Sequence, residues 1–392
     1  MRSLTSKYLN KLKDSKLAYD AVYIFNDGES GFDGSINPDG ALIDTMRELK
    51  TPLLFFGRPA EPFFSALNSV AEHGDFSPND SETRTFLHTV PVTDSLNPQT
   101  LAWLLKKRKA VYVKGRGIVT SAPYGAEQAY IYFCSVCFSG FVKFFSDAGE
   151  KALLKQPYDR ELVSRLISQY TEFMPKIQQP ELMTDIMTSD EAVTAAMAQT
   201  GKATVDMGLV DSFFGNISCL YNDRIFISRT GSSLDELEHE TDICPVDESS
   251  CQGLTASSEL ATHKKIYELT DSRVILHAHP RFSVIMSMMC AEECANRGRC
   301  HYACDRERFL GDVPIVPGEV GNGKRAMVNT VPAAIEKHGS AIVYGHGVFT
   351  VSAVDFNDAF RKLVETETRA LRLYHHLTCQ PDADQIAFFD SF

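Results

Sequence analysis

Two histidines at the end of an apolar run are the residues of this sequence with the clearest chemical potential. Residues 274–276 (VIL) predict a buried strand, and His277 and His279 follow at positions i and i+2. Side chains alternate across a strand, so both imidazoles project to the same side. Neutral imidazole suits zinc and similar cations, so the pair is a candidate half of a metal site. The alternative is a pair of partly exposed histidines at a strand end.

A third histidine lies between two glycines, in Gly345-His346-Gly347, after the apolar run 341–344. Flanking glycines let the backbone turn sharply after a strand or approach a ligand closely. His277, His279 and His346 together predict the three protein ligands of an open catalytic metal site.

The composition is that of a globular protein with room for two domains. The 392 residues are 44% hydrophobic and 23% charged. The first twenty residues are polar and basic, and the apolar runs are shorter than a membrane span, which predicts a cytoplasmic protein without a membrane partner. A net charge of −12 argues against nucleic-acid binding. The ten cysteines predict free thiols or metal ligands, not a disulfide framework.

An internal repeat relates the two halves of the chain. A shift of 230 positions places residues 113–120 (VKGRGIVT) on residues 343–350 (VYGHGVFT), which indicates duplicated architecture. Arg116 stands where the second copy has His346, and arginine cannot be a metal ligand, so the first half is predicted to be metal-free. An anion contact for Arg116 and a merely structural role both stay open.

The predicted domain boundary lies near residue 180, in a connecting segment with several prolines. Residues 1–180 are predicted to form an α/β domain that is a degenerate copy of the second, and residues 181–392 the domain that holds the histidines. In the first domain, Cys134 and Cys137 form a C-x-x-C within an apolar helical run. This context favours buried core thiols over a redox pair.

Three turns of the second half are rich in small polar residues. Backbone N–H groups and hydroxyls in such turns bind phosphate or carboxylate oxygens, although each turn alone is more often only a turn or a helix cap. Glu259, which follows two of these residues, reads on its own as a capping glutamate in the first turn of a helix. The candidate anion-binding residues are Asn216, Thr230, Gly231, Ser257 and Ser258.

Five short motifs of residues 185–378 resemble the class II aldolase/adducin family in their order and spacing. The resemblance implies a three-layer α/β/α sandwich with a mostly antiparallel central sheet and assembly as a homo-oligomer. It also implies metal-dependent aldol cleavage or condensation of a small, phosphorylated hydroxy-carbonyl substrate through a metal-stabilised enediolate. The motifs are Gly215-Asn216-Ile217-Ser218, Thr230-Gly231, Ser257-Ser258-Glu259, His277-Ala278-His279-Pro280 and Gly345-His346-Gly347.

The resemblance also implies roles for single residues. His277, His279 and His346 match the ligands of Zn²⁺ or another divalent metal. Glu259 matches the carboxylate that moves a proton beside the metal, and Tyr302 is the candidate for a tyrosine acid. The five residues of the small polar turns match a cradle for the substrate phosphate: Asn216, Thr230, Gly231, Ser257 and Ser258.

Other activities fit the same residues. Epimerisation, decarboxylation and dehydration all use an enolate-like species on such a metal. A non-catalytic, adducin-like scaffold is the alternative of a different class, and the retained histidines and Glu259 argue against it.

A cysteine-rich segment follows the histidine pair. It contains Cys290, Cys294, Cys300 and Cys304, with His301 among them. These residues are candidates for a second zinc or an iron–sulfur cluster. Their spacings differ from the usual zinc knuckles, so unligated thiols in a loop are the alternative. The segment lies where substrate-selecting residues are expected, and the substrate therefore stays open.

Overall fold

The structure is a computed structural model, and it divides the chain into two compact units. One comprises Met1–Ala148 and Asp159–Phe173, the other Gly149–Tyr158 and Met174–Phe392. Each contains its own β-sheet. The residues that the structure describes are 2–26, 30–173, 180–211, 213–250, 252–292, 294–296, 298–319 and 323–380.

Six strands form the sheet of the first unit. They are β1 (Ala18–Asn26), β2 (Ser30–Gly34), β3 (Leu53–Pro59), β4 (Val92–Thr93), β5 (Ala110–Val113) and β6 (Gly117–Ser121). Their order is β2-β1-β3-β6-β5-β4, and all neighbours are antiparallel except β4 and β5. The helices of the first half are α1 (Arg2–Asp14), α2 (Gly40–Leu49), α3 (Phe63–Ala71), α4 (Ser81–Leu87), α5 (Pro98–Leu105), α6 (Ala126–Leu153) and α7 (Arg160–Phe173).

Eight strands form the sheet of the second unit. They are β7 (Asn216–Tyr221), β8 (Arg224–Ser228), β9 (Thr241–Pro245), β10 (Val274–Ala278), β11 (Arg308–Leu310), β12 (Val313–Val316), β13 (Ser340–Val343) and β14 (Gly347–Ser352). The helices are α8 (Asp190–Asp206), α9 (Leu260–Leu269), α10 (Arg281–Met288), α11 (Cys300–Ala303), α12 (Met327–His338) and α13 (Phe356–Cys379). Two 3₁₀ segments, Leu234–His239 and Gln252–Thr255, lie beside β9 in sequence.

The second sheet is mostly antiparallel and covered on both faces, as the sequence predicts. Its order is β11-β12-β13-β14-β10-β7-β8-β9, and only β12 and β13 are parallel. Helices α9 and α12 pack on the face that carries Ile275 and Phe349. From the other face, helix α13 packs against β10 and β14, and helix α10 packs against β13 and β14. The predicted three-layer α/β/α fold is confirmed.

The strand before the histidine pair is central and fully buried. β10 lies between β14 and β7, and all five of its side chains are buried. The continuous apolar run 274–276 is what a strand covered on both faces requires. His277 projects to the same face as Ile275, and the chain therefore places its imidazole under α9.

The two sheets are copies of one another. Read as β4-β5-β6-β3-β1-β2, the first matches β12-β13-β14-β10-β7-β8 of the second, and the single parallel pair falls at the same place. The registers also agree, because Phe56 pairs with Val119 where His277 pairs with Phe349. The repeat VKGRGIVT/VYGHGVFT therefore marks a duplicated six-stranded frame, to which the second unit adds β9 and β11.

The long helix α6 corrects one expectation. By length and composition alone Ala126–Leu153 is apolar enough to cross a membrane, whereas the uninterrupted apolar runs of the sequence are shorter than a membrane span. The difference arises because small polar residues interrupt its apolar run without making the helix polar. Within the protein, 89% of its most apolar window is buried, as in a core helix. Cys134 and Cys137 are both buried on it, as predicted.

Candidate metal centre

The three predicted histidines meet in the second unit. His277 lies in β10, His279 follows two residues later, and His346 lies in the tight turn between β13 and β14. One ring nitrogen of each lies within 4.8 Å of those of the other two. The Nε2 atoms of His277 and His279 are 3.0 Å apart. Residues distant in sequence thus present three imidazoles to one point.

Gly347 lets the turn that carries His346 pack directly on the histidine pair. A Cβ atom at this position would lie 2.4 Å from the Ala278 carbonyl oxygen. It would also lie 2.7 Å and 2.8 Å from ring carbons of His279 and His277. Such separations are far below van der Waals contact, so glycine is required here, as the predicted close backbone approach implies.

We expect Gly347→Ala to destabilise the protein by about 1–3 kcal/mol, because the added methyl group overpacks the turn against β10. The displaced rings should also bind metal less tightly. Gly40→Ala is the matched control, since it adds the same methyl group where no atom lies within 4 Å. Urea unfolding and metal content of both variants check the prediction, and equal stability and metal content would contradict it.

Surrounding groups orient the rings. Nδ1–H of His277 donates to the Val348 carbonyl at 3.0 Å, and this tautomer leaves the Nε2 lone pair facing the other histidines. The His277 ring stacks on Phe349 at 3.9 Å between centroids. Phe214 stacks on His279 at 5.8 Å. The imidazoles are therefore held in place by the protein itself.

Glu259 places a carboxylate beside two of the imidazoles. Its Oε1 lies 3.3 Å from Nε2 of His346, and its Oε2 lies 3.6 Å from Nε2 of His277. Nδ2 of Asn216 donates to Oε2 at 2.8 Å. Glu259 is the N-cap residue of α9, but its side chain makes no capping hydrogen bond. The side chain therefore belongs to the histidine cluster, not to the helix end.

The electrostatics match a cation site. Burial lowers the pKa of His277 to about 4 and holds the pKa of His279 well below its usual value. Burial also raises the pKa of Glu259, but His277, His346 and Asn216 outweigh it and leave that pKa below the usual range. Neutral imidazoles beside a carboxylate are the forms that ligate a divalent metal, so the donor set fits zinc or a similar cation.

Two of the predicted anion-binding residues, Asn216 and Ser257, contact Glu259 directly. Thr230 N donates to the Thr255 carbonyl at 2.8 Å, and Ser257 N donates to the Ser228 carbonyl at 3.0 Å. Oγ of Ser257 accepts from the Glu259 N–H at 3.3 Å. Thr230, Gly231 and Ser258 are exposed. Asn216, by contrast, is buried, and its side-chain amide nitrogen donates to Glu259.

Tyr302 lies apart from this group. It is on the short helix α11, 39% exposed, with its ring 4.5 Å from that of His301. Among the described residues no hydrogen bond or ring contact joins Tyr302 to the three histidines. Its role as an acid stays a prediction from the family motif.

The cysteines of the same segment do not form a cluster. Among the described residues, three or more potential metal ligands converge at the histidine triad. That group contains no cysteine. Cys300 is buried and Cys294 is exposed. The structure therefore gives no support to a second zinc or an iron–sulfur cluster at Cys290, Cys294, Cys300 and Cys304.

We expect the double variant Cys294→Ser/Cys300→Ser to keep the metal content of the wild-type protein. The reason is that the thiols do not converge, whereas the imidazoles do. Elemental analysis by mass spectrometry per mole of chain checks this. A drop in bound zinc or iron in the double variant would show that these cysteines bind metal.

The histidine centre is supported by further buried residues, of which only His263, one helical turn after Glu259, is recognisable from the sequence, as a packing residue. The carboxylate of Glu367, buried on α13, accepts from Phe282 N at 2.9 Å and Ser283 N at 2.8 Å, and so caps the helix that follows the histidine pair. Arg281 donates to Asp211 at 2.6 Å. His263 is a buried packing residue whose Nδ1 lies 2.7 Å from Ser218 Oγ. Glu367 lies on an amphipathic helix about eighty-five positions after α10, and the residues around it in sequence do not indicate this role.

Several solved structures are similar to about half of this chain. They include l-fuculose-1-phosphate aldolase from Thermus thermophilus (24% identity, 49% of this chain and 98% of that chain, TM-score 0.39). YgbL from Escherichia coli is also similar, with 22% identity over 51% of this chain and 99% of that chain and a TM-score of 0.40. So is a sugar-phosphate aldolase from Thermotoga maritima, with 14% identity over 49% of this chain and 97% of that chain and a TM-score of 0.36. No curated protein matches the chain.

The family model described as Class II Aldolase and Adducin N-terminal domain matches residues 195–374. This range contains all five motifs and the three converging histidines. Residues 195–374 are thus similar to the class II aldolase and adducin family, and the resemblance predicted from the motifs is confirmed.

Proposed function

We propose that the second unit is a divalent-metal-dependent lyase that cleaves and forms a carbon–carbon bond in a small phosphorylated hydroxy-carbonyl compound. The observation that carries the proposal is the convergence of three imidazoles with the Glu259 carboxylate beside two of them. We further propose zinc as the metal and a homo-oligomer as the working assembly.

His277, His279 and His346 would hold the metal. A divalent cation bound there acts as a Lewis acid on a carbonyl and its neighbouring hydroxyl. The contribution of the protein is a site already arranged for it, because Val348 and Phe349 fix the His277 ring and Phe214 packs on the His279 ring.

Glu259 is the proposed proton carrier. In the condensation direction its carboxylate takes the proton from the carbon next to the carbonyl. The electron pair left on that carbon forms the new bond to an aldehyde carbon, whose oxygen takes up a proton. Cleavage is the reverse. Asn216 holds the carboxylate in position with its amide, at 2.8 Å.

The small polar turns are the proposed phosphate site. Thr230, Gly231 and Ser258 are exposed, and the Ser257 hydroxyl accepts from the backbone N–H of Glu259. A phosphate at these groups would place a short substrate with its carbonyl end toward the histidines. Tyr302 is proposed as the acid for the aldehyde oxygen, from the family motif alone.

Screening phosphorylated ketoses for release of dihydroxyacetone phosphate or an aldehyde tests the proposal. We expect cleavage of at least one of them by the metal-loaded wild-type protein and none by the His277→Ala variant. Inversion at a carbon or loss of carbon dioxide without cleavage would indicate the epimerase or decarboxylase alternative. No bound metal, even after refolding with zinc, would favour the non-catalytic scaffold.

A further inference from the structure

The first unit has a cavity at the place that corresponds to the histidine site of the second. The duplicated frame fixes this correspondence, because equivalent strands pair in the same register. Gly57 pairs with Ile118 where Ala278 pairs with Val348. Arg58, the next residue along β3, therefore occupies the position of His279.

The turn between β5 and β6 matches in the same way. Arg116 occupies the position of His346, and Gly115 and Gly345 both have positive φ angles, of 66° and 61°. A Cβ atom at Gly117 would lie 2.5 Å from the Gly57 carbonyl oxygen, just as one at Gly347 would meet Ala278. The two turns therefore pack on their neighbouring strands alike, with arginines in place of two histidines.

The acidic position is also retained. Asp39 is the N-cap residue of α2, as Glu259 is the N-cap residue of α9, and both helices have ten residues and lead to the equivalent strand. Here the aspartate does cap its helix, accepting from Ala41 N at 2.9 Å. Phe56 replaces His277 in this frame. Where the second unit has a carboxylate and three imidazoles, the first unit therefore has a carboxylate, a phenyl ring and two guanidinium groups.

These residues surround a real cavity. Its volume is about 260 Å³, and its lining includes Asp20, Asn37, Asp39, Phe56, Arg58 and Arg116. Both arginines are exposed to it, and within the described residues neither forms an ion pair. The Arg58 guanidinium lies over the rings of Phe64 and Tyr19, at 4.6 Å and 5.7 Å. Stacking uses the faces of the guanidinium and leaves its N–H edges available to a ligand.

We propose that the first unit binds a small polyol phosphate in this cavity, without a metal. Two guanidinium groups supply fixed positive charge where the other unit has metal ligands, and their paired N–H donors suit the oxygens of a phosphate. Asp20 and Asp39 line the same cavity and can accept hydrogen bonds from hydroxyl groups. The unit lacks imidazole at these positions, so it binds its ligand without performing the proposed lyase chemistry.

Hydrogen–deuterium exchange of the full-length protein with glycerol 3-phosphate tests this directly, since it reports each unit separately. We expect protection of the segments around residues 37–41 and 114–117 in the wild-type protein. Arg58→Gln/Arg116→Gln should abolish that protection and weaken binding to this unit at least about tenfold. Arg84→Gln is the matched control, because it removes the same charge from an exposed site outside the cavity.

Two ligand controls complete the test. Glycerol should give no protection, and inorganic phosphate should protect the same segments only at higher concentration. Protection by glycerol, equal affinity for inorganic phosphate, or unchanged protection in the double arginine variant would each overturn the proposal. A failure of the histidine site to bind metal would not count against this proposal, because the cavity is lined by residues of the first unit.

Discussion

Wild-type protein should carry about one divalent metal ion per chain, and His277→Ala and His346→Ala should carry almost none. Each substitution leaves only two imidazoles, too few for the proposed site. His277 is fully buried against Phe349, so its removal also leaves a cavity and should cost about 2 kcal/mol of stability or more. His346 is 11% exposed at the surface of the turn, and its variant should fold more nearly as the wild type does.

Elemental analysis after dialysis, together with thermal unfolding with and without zinc, checks this prediction. His338→Ala is the control, since His338 is exposed at the end of α12 and outside the triad. Wild-type metal content in folded His346→Ala would contradict a three-histidine site. Stabilisation by zinc of the wild-type and His338→Ala proteins, but not of the two triad variants, would support it, because a ligand that binds only the folded state raises its stability.

Glu259→Gln should retain metal and fold but lose about 10²–10⁴-fold in turnover. The amide has the size of the carboxylate and can still accept the hydrogen bond from Asn216, but it cannot take up a proton. Its neighbours His277 and His346 remain unchanged, so the metal should stay. The turnover number and metal content of the same preparation measure the two effects separately.

Glu268→Gln is the matched control, because Glu268 is exposed on the same helix α9. It should keep full turnover. Equal turnover of Glu259→Gln and the wild type would remove Glu259 from the mechanism, whatever the metal content. Loss of metal from Glu259→Gln would instead assign the carboxylate to the metal itself.

The parts that could be predicted from the sequence are those with short-range signatures. The apolar run 274–276 with histidines at alternate positions identifies a buried strand with a same-side pair. The glycines around His346 identify a tight turn that approaches its neighbour. In each case local backbone geometry limits the possible arrangements to a few, and the structure has the expected one.

The parts that could not be predicted depend on contacts between distant segments. Glu367 caps α10 from a helix about eighty-five positions later, and nothing around it in sequence distinguishes it from other acids. Arg58 corresponds to His279 only through strand register, because FGRP and HAHP share just a proline. The four cysteines show the opposite case: they are close in sequence, but within the described residues their thiols do not converge.

X-ray absorption spectroscopy of the zinc-loaded protein measures the central feature directly, since it reports the atoms bound to the metal. Three imidazoles predict nitrogen neighbours at about 2.0–2.1 Å with the multiple scattering of histidine rings. Sulfur neighbours at about 2.3 Å would show that the cysteines hold the metal and would contradict the histidine centre.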